Sequence, residues 1–376
     1  MGELNVIERA LMYALFVHLH HNIDNVIDFE EIDKLNQKIR KEFYPDILLI
    51  GPGDDAGVIE IPGTDTRLVG KMESHCSPCV VDPWGSAFTG GGGAIRDVVA
   101  MGARPLFLED FVGLGPLDKK VLVGPCGFKG ECRCGKCQLM TNQARLNLIT
   151  KGVRDVCELM GVILLGGGLS TSLDGVVPAV VVAVVGELVT DKPLTKPFKN
   201  PGDSIILIGE TDDDGNDTIF RAGLAKEMKP AKPLLKEERT GMEAALAAIR
   251  TGLMHSLSDL GAAGIGAAVC EAAKTGELGA EIELSKVPMK QGKQLNPAGL
   301  ILNETQARYS FTVSPENAQC VLDEIKGAGG VGTVIGEVKE DTKTIFRHNG
   351  EVVASVSNRP SKEVLDFLKR PQEDDS

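Results

Sequence analysis

Gly85-Ser-Ala-Phe-Thr-Gly-Gly-Gly-Gly-Ala-Ile-Arg-Asp97 is the stretch on which the reading of the fold turns. Upstream of it, residues 47–50, 57–61 and 67–72 have the composition of strands, with turn residues between them. Downstream, residues 93–103 carry helical spacing and residues 105–111 read as a further strand. Strand, glycine run, helix and strand in that order mark an α/β unit. The glycines are expected to form a loop that opens the helix. There, free N–H groups and the positive helix end favour an anion. A plain flexible loop is the alternative. The run is not a P-loop, because no Gly-Lys-Ser/Thr follows. Arg96 and Asp97 add a cation and a carboxylate, and weigh toward phosphate plus metal.

The alternation continues along the chain. Residues 3–20 carry apolar positions at helical spacing (Leu4, Ile7, Leu11, Ala14, Leu15), and 30–43 read as a charged helix. Residues 141–161 fit a long helix, 162–165 a short strand and 176–189 a buried strand. Pro193, Pro197 and Pro201 then interrupt regular structure between 190 and 203. Beyond them come a strand at 204–209, helices at 240–250 and 261–275, a strand at 280–284, a helix at 315–327, and strands at 331–338, 343–348 and 351–355. The expected organisation is a helical segment over 1–45, an α/β domain over 46–192 with an irregular cysteine-rich insertion at 116–138, and a second domain over 200–370. The acidic tail after Lys369 is expected to fray.

Composition narrows the function classes. The chain has 376 residues, with 40 Lys and Arg against 53 Asp and Glu, a net charge of -13. That disfavours nucleic acid or an anionic membrane as partner, since phosphate backbones need clustered cations. The apolar run over 176–186 stops at Glu187, too short to span a bilayer. No signal peptide is visible at the N-terminus, so a cytoplasmic location is expected. Nine cysteines in such a chain point to metal, redox or catalytic use rather than a disulfide framework.

Four further motifs carry chemistry. Gly51-Pro-Gly-Asp-Asp-Ala-Gly57 sets Asp54 and Asp55 in a glycine turn before a strand; an Asp-capped turn is the plain reading. Lys71-Met-Glu-Ser-His-Cys-Ser-Pro-Cys79 packs Lys71, Glu73, His75, Cys76 and Cys79 into nine residues. Lys suits a phosphate, Glu suits Mg²⁺, and His suits proton transfer. Cys76 and Cys79 have the spacing of a metal knuckle or redox pair. Ser258-Asp-Leu-Gly-Ala-Ala-Gly-Ile265 opens a helical pattern, where Asp259 has the look of an N-cap. Leu302-Asn-Glu-Thr-Gln-Ala-Arg308 says little alone.

Taken in order, with Met101-Gly-Ala-Arg-Pro105 among them, these pieces resemble formylglycinamidine ribonucleotide synthase and its aminoimidazole ribonucleotide synthetase superfamily, over roughly residues 50–340. The resemblance implies a two-domain α/β (α+β) fold, an N-terminal sheet that dimerises into a barrel, and a C-terminal α/β sandwich. It implies ATP in a groove with Mg²⁺ on its phosphates, phosphorylation of a substrate oxygen, and attack by an amine. Lys71 would contact phosphate and His75 would assist the chemistry. Glu73, Asp97 and Asp259 would hold Mg²⁺. Asp54, Asp55, Thr89, Gly90, Gly91, Gly92, Gly93 and Arg96 would surround the nucleotide. A phosphorylated or amide-bearing small molecule, a homodimer and a nitrogen-donor protein follow as expected partners.

The sequence also departs from the family. The family continues Glu-Ser-His with Asn-His-Pro-Ser, whereas here Cys76, Ser77, Pro78 and Cys79 follow. Its Trp-Ser-Glu-His-Cys stretch has no counterpart, and His18, His20 and His21 are the histidines upstream. No glutaminase and no second synthetase copy is expected. Cys126-Gly-Phe-Lys-Gly-Glu-Cys132-Arg-Cys134-Gly-Lys-Cys137 sets four thiols among glycines. A zinc knob and an iron–sulfur cluster both suit that spacing. Cys76 and Cys79 are expected to lie near it, which opens a second reading, ATP-dependent sulfur transfer from a donor protein. A regulatory subunit that binds nucleotide or metal without turnover is a third. Cys157, Cys270 and Cys320 read as small core hydrophobes.

Overall fold

The computed structural model describes residues 6–13, 29–51, 53–221 and 225–357. Helix α1 (Val6–Tyr13) and helix α2 (Phe29–Phe43) precede the first sheet. The rest of the expected 3–20 helix, His18, His20, His21 and the chain beyond 357 lie outside the described residues.

Six strands build the first sheet: β1 (Leu49–Ile50), β2 (Gly57–Glu60), β3 (Arg67–Ser74), β4 (Ala103–Gly113), β7 (Ile163–Ser170) and β8 (Ala179–Leu188). Their spatial order is β1-β2-β3-β8-β4-β7, antiparallel except for the parallel β4–β7 pair. Strands β5 (Lys120–Val123) and β6 (Gln138–Thr141) form a separate hairpin. The sheet alternates with period two. Val69, Leu108, Val112, Val180, Val182 and Val184 point into the core. Met72, Phe111, Ile163 and Leu165 stay exposed on the outer side.

The inner face packs on helices α3 (Pro83–Ala100) and α4 (Asn142–Met160). Here the structure corrects the sequence reading. Residues 85–93 are not a loop, and the helix begins ten residues earlier than its apolar spacing showed. Asp82 caps it by accepting from the Gly85 N–H, and Pro83 occupies the first turn. Every residue of α3 except Trp84 is buried. The four glycines therefore sit mid-helix with their N–H groups in the helical ladder. What they provide is close approach. A Cβ on Gly90 would meet His75 at 2.5 Å, one on Gly91 would meet Val156 at 2.7 Å, one on Gly92 would meet Glu238 at 3.1 Å, and one on Gly93 would meet Glu73 at 3.1 Å.

The second sheet has seven strands: β9 (Ser204–Ile208), β10 (Met254–Asp259), β11 (Gly279–Glu283), β12 (Tyr309–Val313), β13 (Gly332–Lys339), β14 (Lys343–His348) and β15 (Glu351–Ser357), in the order β10-β12-β9-β13-β11-β14-β15. Both its faces are covered, and β9 shows it. Ile206 and Ile208 join the core that holds α3, together with helices α6 (Leu235–Arg250) and α9 (Ala318–Gly327). Ile205 and Leu207 join a second core with α1, α7 (Gly264–Thr275) and α8 (Pro297–Leu302). The short helix α5 (Asp217–Arg221) lies in the connection after β9. Strands β5, β6, β10 and β12 and helices α5 and α8 escaped the sequence reading, which gave 116–138 as irregular, because each is short.

Helices α3 and α4 cross at Gly152, where a Cβ would meet the Trp84 carbonyl at 2.3 Å. Gly152→Ala is expected to lower stability by about 1–3 kcal/mol through overpacking. At Gly327 a Cβ meets nothing, and the backbone is in the ordinary helical region. Gly327→Ala is expected to raise stability by up to about 1 kcal/mol. Urea unfolding of the two variants gives the two signs.

Candidate active site

The pleat of β3 builds one wall. Lys71 and Glu73 share the inner face with Val69, while Gly70, Met72 and Ser74 face outward. His75 follows the strand, and its backbone N–H donates to the Val180 carbonyl at 2.9 Å. Its Nδ1 lies 2.6 Å from the Ser86 carbonyl. A carbonyl only accepts, so Nδ1 carries the proton and Nε2 is the nitrogen left for chemistry.

Three carboxylates converge at this wall from separate segments. Asp55 comes from the turn before β2, Asp97 from α3, and Asp259 from the end of β10, with oxygen atoms within 4.8 Å of one another. Lys71 Nζ lies 2.9 Å from Asp97 Oδ2 and donates to the Asp55 carbonyl. Burial pushes Asp55 up to about 7, with Lys196 opposing it. Burial likewise raises Asp259 to about 7 against Arg96, and lifts Asp97 against Lys71. Burial works against the charge on Lys71, but Asp97 and Glu73 outweigh it and raise its pKa. Asp55 Oδ2 and Glu73 Oε2 are buried with no hydrogen-bond partner. Clustered oxygen ligands with unsatisfied lone pairs fit a hard divalent cation such as Mg²⁺. Asp55 thus joins the group that could hold a metal, a place the sequence reading had not given it. Its adjacent Asp54 holds the turn instead, accepting from the Asp55 and Lys196 N–H groups through one oxygen.

Asp259 is not a helix cap. It ends β10, and α7 begins at Gly264. Arg96 is also placed differently from the expectation. It is 1% exposed. Its Nη1 donates to Glu238 at 2.7 Å, its Nη2 to Gln306 at 2.5 Å, and its Nε to Asp259 at 3.3 Å. Each of the three guanidinium nitrogens makes a bond that ties α3 to the second half of the molecule. Thr89 is buried within α3 and donates to the Ser86 carbonyl. Glu238 had no sequence signal, since it lies among ordinary helical charges. Gln306 belonged to a motif already noted, and only its reach to Arg96 gives it a meaning.

The thiols separate into two sets. Cys126, Cys132, Cys134 and Cys137 have sulfur atoms within 4.8 Å of one another, at the tip of the β5–β6 hairpin. Cys76 and Cys79 do not join them. Cys76 Sγ accepts from the Val180 N–H at 3.3 Å. Cys79 is 0% exposed, donates to the His75 carbonyl, and is held well above the ordinary thiol range by burial. A thiol so buried is a poor nucleophile and a poor ligand. Cys157 and Cys270 are buried as expected, whereas Cys320 is exposed.

Among the described residues, no helix is long and apolar enough to cross a membrane. The AIR synthase related protein N-terminal domain matches residues 53–188, and the AIR synthase related protein C-terminal domain matches residues 200–349. Phosphoribosylformylglycinamidine synthase subunit PurL from Methanosarcina mazei is 33% identical over 323 residues, 82% of this chain and 42% of that protein. The subunit of the same name from Prochlorococcus marinus strain MIT 9301 is 30% identical over 319 residues, 82% of this chain and 38% of that protein. Among solved structures, T. maritima PurL complexed with FGAR superposes with a TM-score of 0.68 at 25% identity, covering 96% of this chain and 57% of that one. The chain spans less than half the length of the curated relatives it matches.

Two outcomes follow from the charges. Arg96→Ala leaves the fully buried Glu238 without its cation and is expected to cost about 3–5 kcal/mol in urea unfolding, part of it recovered by adding Glu238→Gln. In the cation-free chain, Asp55 titrates at about 7 against an ordinary 3.8. The folded state then keeps a proton that the unfolded state releases, so Asp55 contributes stability below about pH 4 that is lost as pH rises to about 7. Unfolding midpoints in EDTA are expected to fall more steeply over that window for the wild type than for Asp55→Asn, and Mg²⁺ is expected to reverse the loss.

Proposed function

The chain belongs to the AIR synthase related protein family, and on that premise we propose that it is an ATP- and Mg²⁺-dependent synthetase of the formylglycinamidine-forming type. It phosphorylates the amide oxygen of a phosphorylated small molecule, and an amine then displaces the phosphate. The two synthetase halves are residues 46–192 and 200–370, with 116–138 as an insertion. The observation that carries the reading is the convergence of Asp55, Asp97 and Asp259 beside Lys71.

Asp55, Asp97 and Asp259 are the residues to hold Mg²⁺, with Glu73 beside them. Bound there, the ion neutralises charge on the phosphates. Lys71 sits ready to offer its ammonium to a phosphate oxygen, and Asp97 orients it. His75 presents Nε2 for proton movement, its ring fixed by Ser86. Asp54 sets the turn that aims Asp55. Gly90, Gly91, Gly92, Gly93, Thr89 and Arg96 serve by packing and bridging rather than by touching nucleotide.

Nitrogen is the incoming atom, free as ammonia or delivered by a donor protein. Cys76 and Cys79 are engaged by backbone and core, which disfavours sulfur delivery through them. The four thiols of the hairpin bind a metal. A second copy of the chain covers the outer face of the first sheet, where Met72, Phe111, Ile163 and Leu165 lie exposed.

The test mixes the chain with Mg²⁺-ATP, ammonium and the FGAR that the T. maritima structure contains, and measures ADP and amidine. ADP release that requires the acceptor is expected. Asp97→Asn and Asp55→Asn are each expected to cut turnover by roughly a hundredfold or more. Full turnover in both variants would move the metal site elsewhere. No ADP with any amide acceptor would reject the ligase reading.

A further inference from the structure

The cysteine-rich hairpin has no core of its own. Of its tip residues, Lys129, Gly130, Glu131, Arg133 and Lys136 carry no apolar side chain that could order it. Gly130 and Gly135 take left-handed turns, at φ 70° and 69°, that fold the four cysteines inward. All four are free thiols. Cys126 Sγ lies 3.3 Å from Cys134 Sγ, and Cys134 Sγ lies 3.7 Å from Cys137 Sγ. A disulfide would bring sulfurs to about 2.05 Å. A zinc tetrahedron with bonds of about 2.3 Å sets its sulfurs about 3.8 Å apart. A four-iron cube, with an iron under every thiolate and sulfides between the irons, spreads them farther. The Cys126 and Lys136 N–H groups donate to Cys137 Sγ and Cys134 Sγ, the outer hydrogen bonds that stabilise thiolate ligands.

The hairpin touches two segments that connect to the candidate active site. On one side the Gly124 N–H donates to the Val80 carbonyl at 3.1 Å. Gly127 packs on the same residue, where a Cβ would stand 2.6 Å from Val80 Cγ1. Val80 ends the 3-10 turn Ser77–Val80, which follows His75 and Cys76 directly. On the other side Phe128 meets Phe220 of α5 with ring centroids 5.8 Å apart. The first N–H groups of α5, those of Asp217 and Thr218, donate to the buried Glu304 carboxylate, which also accepts from the Ala263 N–H. Two residues on, Gln306 meets Arg96, which meets Asp259.

We infer that Cys126, Cys132, Cys134 and Cys137 enclose one tetrahedral zinc-class ion, and that the loaded hairpin clamps the segment after His75 to helix α5 across the mouth of the site. With all four ligands from protein there is no open coordination position, so the ion is structural. Its binding supplies the ordering energy that the hairpin lacks. The clamp's value to catalysis rests on the synthetase reading above, whereas the ion and the contacts do not.

The experiment uses the full chain, with zinc, iron and acid-labile sulfide measured per chain and hydrogen exchange followed by mass spectrometry. One zinc without sulfide is expected, and Co²⁺ in its place is expected to show the absorption of a tetrahedral thiolate site. Cys134→Ser is expected to lose the zinc and speed exchange over both 76–81 and 215–221. Phe128→Ala is expected to keep the zinc and speed exchange over 215–221 alone, by roughly tenfold, the scale of a lost aromatic pair. Iron with matching sulfide, or no metal, would overturn the ion. Unchanged exchange over 215–221 in Phe128→Ala would overturn the clamp, and that variant decides the point even if Cys134→Ser fails to fold. None of these readouts needs turnover. A chain that holds zinc and clamps but never releases ADP would sink the synthetase reading and leave the clamp standing.

Discussion

Helix α3 is buried on all sides, and the site depends on that constraint. A helix can press against a strand, a second helix and a third only if its surface is smooth where they meet, and four successive glycines make it so. Glycine in a helix interior costs about 1 kcal/mol per residue against alanine. The cost is offset by contacts with Glu73, His75, Val156 and Glu238 that no larger residue would permit. Because α3 also carries Arg96 and Asp97, its depth fixes where Asp97 meets Asp55 and Asp259.

The electrostatics follow from that depth. Asp55 and Asp97 are buried and Asp259 is mostly so, and Lys71 and Arg96 only partly compensate them. Arg96 divides its charge among Asp259 and the fully buried Glu238, and so binds the two halves of the molecule as it binds the acids. Lys196 does the same at the connection between the halves, pairing with Glu271 at 2.7 Å near Asp55. A site assembled from both halves holds its shape only while the halves stay docked. The core shared by α3, β9, α6 and β12 keeps them so, and the hairpin adds the contact of Phe128 with Phe220.

The cysteine-rich hairpin stands apart from the two large sheets. It leaves β4 and returns into α4, closing as a hairpin at Lys120↔Thr141, so neither sheet is interrupted. The two sets of thiols that the sequence distinguished stay separate. Those on the hairpin face one another, and those after His75 are held by backbone and core.

By itself the sequence determined the α/β class, the residues that carry charge at the site, and the hairpin cysteines, because period-two and helical spacings and short motifs are local properties. Lys71, Glu73, Asp97 and Asp259 were grouped by the family resemblance that the order of their motifs carries. Tertiary structure alone decided what the glycines do, that Asp55 belongs with the carboxylates, that Arg96 is a bridge, and that Cys79 is core. The physical reason is shared. A glycine has no side chain to declare its purpose, and a charge or thiol takes its role from its neighbours. Those neighbours, Glu238 and Gln306 above all, stand more than a hundred residues away.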